Sequence, residues 1–68
     1  MPIIEMHLMV GRTTEQKNKV AAAITDAVTR SLECSADTVR ILITEHGYED
    51  FSVGGVTAGL RNAPKETA

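Results

Sequence analysis

The second residue of the chain has the least ordinary chemical potential. Pro2 follows Met1, and an aminopeptidase removes an initiator methionine when the next residue is as small as proline. The product begins with a secondary amine. A free α-amino group titrates far closer to neutrality than a lysine, and apolar surroundings or nearby cations make it less basic still. An amine that is neutral at working pH can take a proton from carbon. With Met1 attached the same nitrogen is an amide and lacks that capacity. Read alone, a proline here also simply opens a strand, a position proline tolerates.

Arg12 and Arg40 are the next candidates. A guanidinium binds a carboxylate through paired N–H groups, although an isolated surface arginine more often does nothing but face solvent. Arg40 is less ordinary because it interrupts an apolar run and therefore needs an acidic partner or a ligand. Arg61 has the same chemistry but lies beside an expected tail. His7 sits inside a strand, where a histidine is more often hydrogen-bonded at an interface than catalytic. His46 is placed in a loop, solvated. Cys34 has no neighbouring base in sequence and reads as a spectator thiol. Met6, Met9 and Phe51 read as core rather than site lining. No glycine-rich phosphate motif follows a strand.

These residues must be positioned by a small number of elements. Residues 3–10 read as a strand with apolar side chains on both parities: Ile4, Met6, Leu8 and Val10 on one, Ile3, His7 and Met9 on the other. Gly11 ends it, and Arg12 falls in the turn. Thr13 with Gln16 three residues on forms a capping box, and Glu15 suits the first turn of a helix. Val20, Ile24, Val28 and Leu32 then make one apolar stripe, and the helix is expected to end near Glu33 or Cys34. Residues 35–38 form a polar connector. Residues 39–45, rich in β-branched side chains, read as a second strand, parallel to the first through a right-handed crossover. Residues 47–50 are a loop. Residues 51–56 form a short hairpin in which Gly54 and Gly55 supply positive φ. Residues 62–68 are expected to be a loose tail.

The fold class expected is therefore α/β (α+β): a single β-α-β unit with parallel strands and a short C-terminal hairpin, one domain over residues 1–68. A chain of 68 residues is marginal alone and needs disulfides, a metal or oligomerisation. Cys34 is the only cysteine, so an internal disulfide is excluded. Cys34, His7 and His46 lack metal-ligand spacing. One helix covers one sheet face, and the other face, also apolar, must meet another subunit. The net charge of −2 gives no basic stripe for nucleic acid. No apolar run approaches the length of a membrane span, and no secretory signal is visible. A reducing cytoplasm fits a single cysteine.

Taken together, several of these segments resemble the 4-oxalocrotonate tautomerase family. Pro2-Ile3, Gly11-Arg12-Thr13 and Glu15-Gln16-Lys17 are similar to its opening. Ser31-Leu32, Val39-Arg40 and Ile43-Thr44-Glu45 continue the similarity, and Phe51 with Val53-Gly54-Gly55 completes it. The collinear likeness runs from Pro2 to Arg61. It implies a β-α-β subunit in a homohexamer, a trimer of dimers with sites at subunit boundaries. It implies Pro2 as catalytic base and Arg12 as holder of a distal carboxylate. It implies Arg40, from a neighbouring subunit, as holder of the carboxylate beside the reacting oxygen and stabiliser of charge there. Phe51 would line the pocket and help keep the amine neutral. The implied reaction, part of aromatic hydrocarbon breakdown, turns a 2-hydroxy-dienoate into its conjugated keto form without metal or organic cofactor.

The chemistry fits the residues. A proton moved along a dienol needs one base that can become an acid. Charge builds on oxygen in the dienolate, where a cation strengthens its hold as the charge develops. Arg40 suits that task, while Arg12 would orient the far end. Glu49 and Asp50 add negative charge before Phe51 and work against a dianionic substrate. Two other readings stay open. A hydratase or dehalogenase of a small unsaturated acid would use a protonated Pro2, with Glu5, Glu49 or Asp50 activating water. If Met1 stays attached, the chain is a non-catalytic assembly protein.

Overall fold

A computed structural model describes residues 1–61; the tail expected at residues 62–68 lies outside the described residues. The chain forms strand β1 (Ile3–Met9), helix α1 (Thr14–Leu32) and strand β2 (Arg40–His46). A hairpin follows, made of β3 (Ser52–Val53) and β4 (Val56–Thr57). Helix α2 (Ala58–Arg61) comes next. Two single 3-10 turns, Ala36–Thr38 and Tyr48–Asp50, flank β2.

The strands β1 and β2 are parallel, with Ile3 opposite Arg40, His7 opposite Thr44 and Met9 opposite His46. This is the expected β-α-β unit. The capping box starts α1 as read: the Gln16 amide donates to Thr13 Oγ1 at 3.0 Å, and the Thr13 amide donates to Gln16 Oε1 at 3.0 Å. At the other end Glu33 takes a left-handed conformation, φ 55°, which closes the last turn.

Alternation along the strands assigns the two faces of the sheet. Ile4, Met6, Leu8, Ile41 and Ile43 are partly covered and turn toward α1. An ion pair ties that side together, with Lys17 Nζ of α1 2.8 Å from Glu45 Oε2 of β2. The opposite face presents Ile3, Glu5, His7 and Met9 beside Arg40, Leu42, Thr44 and His46. It is open: Ile3 is 64% and Leu42 53% exposed. Among the described residues no hydrophobic side chain is buried in the single chain. One helix against two strands cannot close a core, as the apolar residues on both strand parities foretold.

The hairpin turns at Gly54 and Gly55, with φ 61° and 84°, the left-handed pair a tight two-residue turn requires. Two features depart from expectation. His46 is not in a solvated loop: it is the final residue of β2, and its carbonyl accepts from the Val10 amide at 2.9 Å. Arg61 ends α2, a short helix unforeseen in the sequence. The Leu60 amide donates to Thr57 Oγ1 at 3.2 Å, a cap that a threonine before four helix-compatible residues could have signalled.

Candidate active site

Pro2 stands just before β1. Its carbonyl accepts from the Arg40 amide at 2.9 Å, so the backbones of Pro2 and Arg40 are neighbours across the two parallel strands. Met1 is 77% exposed, and its removal disturbs no packing. Residue parity places Pro2 on the α1 side of the sheet. Arg40, opposite Ile3, extends over the open face. Its Nη1 donates to the Asp37 carbonyl at 2.6 Å. Of the acidic partner or ligand expected for Arg40, no acidic partner is present among the described residues; a backbone carbonyl takes one N–H, and the rest of the guanidinium stays available.

Arg12 and Phe51 lie at the other end of β1. Arg12 follows the turn made by Gly11, whose φ of +119° suits glycine alone. Arg12 has neither an ion-pair nor a hydrogen-bond partner among the described residues, although Lys17, which lines the same cleft, is paired with Glu45. It borders a cleft of about 300 Å³ with Leu8, Gln16, Lys17 and Val20. Phe51, 49% exposed, borders a second cleft of about 190 Å³ with Met9, Val53, Val56, Ala58 and Arg61. There Arg61 Nη2 donates to the Val53 carbonyl at 3.0 Å, so Arg61 buttresses the hairpin that carries Phe51.

The four residues singled out in the sequence thus separate into two groups. Pro2 and Arg40 share the start of the parallel pair, and Arg12 and Phe51 share its far end. β1 spans seven residues, which at the rise of a strand puts the groups about 20 Å apart. Arg40 is directed to Asp37, away from the Arg12 end. A single chain therefore does not bring these four candidate residues together.

The acids considered for water activation fall elsewhere. Glu5 is on the open face beside His7, and Glu49 and Asp50 are in the exposed turn before Phe51. Neither cleft is lined by an acid. Among the described residues, no three His, Cys, Asp or Glu side chains are grouped to hold a metal ion, and no helix is long and apolar enough to cross a membrane.

Comparison with known proteins bears on both groups. The sequence model of the family described as Tautomerase enzyme matches residues 2–61, a stretch that takes in Pro2, Arg12, Arg40 and Phe51. A 2-hydroxymuconate tautomerase of Pseudomonas putida is 38% identical over 58 residues, which cover 85% of this chain and 92% of that protein. One from Pseudomonas fluorescens is 36% identical over 62 residues, covering 91% and 98%. Among solved structures, a 4-oxalocrotonate tautomerase isozyme of Methylibium petroleiphilum superposes with a TM-score of 0.88 at 58% identity, covering 91% of this chain and 97% of that one. A heterohexameric 4-oxalocrotonate tautomerase of Chloroflexus aurantiacus gives 0.82 at 29% identity, covering 87% and 95%.

Proposed function

The chain belongs to the tautomerase family of isomerases, and from that premise we propose that it converts an unsaturated 2-hydroxy acid of the 2-hydroxymuconate type into its conjugated 2-keto form. Pro2, freed of Met1, is the base. As a neutral secondary amine it takes a proton from the dienol and, as the resulting ammonium, returns one to the far carbon of the conjugated system, so no external acid is consumed. Arg40 holds the carboxylate next to the reacting oxygen and gains strength as negative charge develops there. Arg12 holds a second carboxylate at the distal end, and Phe51 covers the pocket and keeps water from the amine.

The observation that carries this reading is the division of the site. Two guanidiniums without carboxylate partners stand at opposite ends of β1, Arg40 over the open face and Arg12 in the turn beyond the strand. Copies of the chain packed so that Pro2 of one meets Arg40 of a neighbouring copy, with Arg12 and Phe51 brought to the same boundary, assemble complete sites. The same packing covers the open face carrying Ile3 and Leu42. We accordingly assign the chain to a homohexamer built as a trimer of dimers, acting on a small unsaturated acid without metal or organic cofactor, in the cytoplasm.

An ultraviolet ketonisation assay on 2-hydroxymuconate and on simpler enols, with protein of confirmed amino terminus, tests the proposal. Activity is expected to rise with pH through a single ionisation, because the neutral amine is the working form. Hydration or dehalogenation would need the cationic amine and a carboxylate at the site, and would lose activity as pH rises. A profile of that second shape would transfer the assignment to water addition.

A further inference from the structure

A cluster on the open face plays no part in that chemistry. His7 Nδ1 lies 2.8 Å from His46 Nε2, and the two rings are stacked, with centroids 5.0 Å apart and planes inclined by 21°. The other nitrogen of His7, Nε2, is 3.8 Å from Glu5 Oε1. The charged residue that β1 turns toward the pair is thus Glu5. From β2 the charged residue on this face is Arg40, six residues before His46 and bonded to the Asp37 carbonyl. Helix α1 lies across the opposite face, where Lys17 and Glu45 satisfy each other.

Two ring nitrogens at this separation share one hydrogen. One ring donates and the other offers its lone pair, so at most one of the two imidazoles is charged while the contact exists. Glu5 selects which one. A first added proton settles on His7, whose Nδ1–H donates to His46 while its Nε2–H faces the carboxylate. A second proton, on His46, sets two N–H groups against each other. In the separate chain the rings can turn apart into water at little cost. Under a second copy of the chain they cannot, because a parted, doubly charged pair would be desolvated. The covered pair therefore holds one added proton, and the open pair accepts two.

We infer that the Glu5–His7–His46 cluster is a proton-operated release for the assembly: acidification drives the subunits apart. This rests on the reading that copies of the chain cover the open face. The separated chain binds one more proton per subunit, so lower pH favours it. Where that extra proton is taken up in full, each further pH unit of acidification weakens association by about tenfold per subunit. Because each site is shared between copies, release also dismantles the sites.

Sedimentation velocity tests this where activity cannot, since the Pro2 amine also gains a proton as pH falls. Wild-type protein at micromolar concentration is expected to run as an oligomer at about pH 7.5 and as smaller species at about pH 5. His46→Gln, which does not titrate, is expected to stay assembled at both. His7→Gln removes the pair from the other strand and serves as the same comparison should His46→Gln fail to fold. A wild-type oligomer of unchanged size at both pH values, or a glutamine variant that dissociates as the wild type does, overturns the release and leaves the assembly reading standing. A wild-type monomer at about pH 7.5 overturns the assembly reading and the release with it.

Discussion

If each site takes Arg40 from one chain and Arg12 from another, two inactive variants should restore activity to each other. Removing a charge-stabilising donor costs about 10²–10³ in turnover, so Arg40→Ala alone is expected to leave 1% or less. Arg12→Ala alone is expected to be severely impaired on a dicarboxylate at low substrate concentration. In hexamers formed by co-expressing the two at equal level, a site finds an intact Arg40 with a chance of one half and an intact Arg12 with the same chance. About a quarter of the sites are then complete, which predicts about a quarter of wild-type activity for random mixing. The geometry demands this, because the seven-residue strand β1 separates the two arginines of one chain by about 20 Å. Distinct affinity tags on the two variants allow mixed hexamers to be isolated and assayed by ultraviolet ketonisation. Mixed hexamers no more active than the better parent would show that both arginines of a site come from one chain, and the division of the site between subunits would be wrong.

Other perturbations follow from the same geometry. Arg40→Ala should lower kcat, whereas Arg12→Ala should mainly raise KM for a dicarboxylate and matter much less for a monocarboxylate, a contrast steady-state kinetics on the two substrates will read. Leu42→Glu places a carboxylate on the face that copies of the chain are proposed to cover, at a cost of several kcal/mol per subunit; light scattering should report loss of the oligomer. Thr13→Ala removes the capping hydroxyl that holds the Gln16 amide and should cost about 1 kcal/mol per subunit, seen as a lower urea midpoint with the catalytic residues untouched.

Most of the fold was legible because local signals agreed. Thr13 and Gln16 announced the start of α1, the Val20–Ile24–Val28 part of the apolar stripe gave its partly covered side while Leu32 stays exposed, and Gly54-Gly55 marked the hairpin. The apolar residues on both parities of β1 already implied that one helix could not cover the sheet. Helix α2 was missed because Ala58–Arg61 is too short to express a helical period; Thr57 was its only signal. His46 was misplaced because the apolar alternation of β2 ends before it, and a strand's last residue carries no pattern of its own. Its pairing with His7 depends on the parallel register, which joins residues 39 positions apart in sequence. The candidate site was legible as residue types, not as an arrangement. Nothing in the order of Pro2, Arg12, Arg40 and Phe51 says that they fall into two groups, because the grouping follows from where the crossover helix returns the chain beside β1.

The central claim is that the Pro2 nitrogen, as a free secondary amine, is the base. Two preparations of the same chain, one with Met1 and one without, distinguished by intact mass and shown by sedimentation to share one oligomeric state, should be compared in the ketonisation assay at a single pH. The account predicts that the preparation lacking Met1 is active and that the one retaining it, whose Pro2 nitrogen is an amide, is inactive. Equal activity in the two preparations would contradict it and turn attention to His7 or a carboxylate as the base.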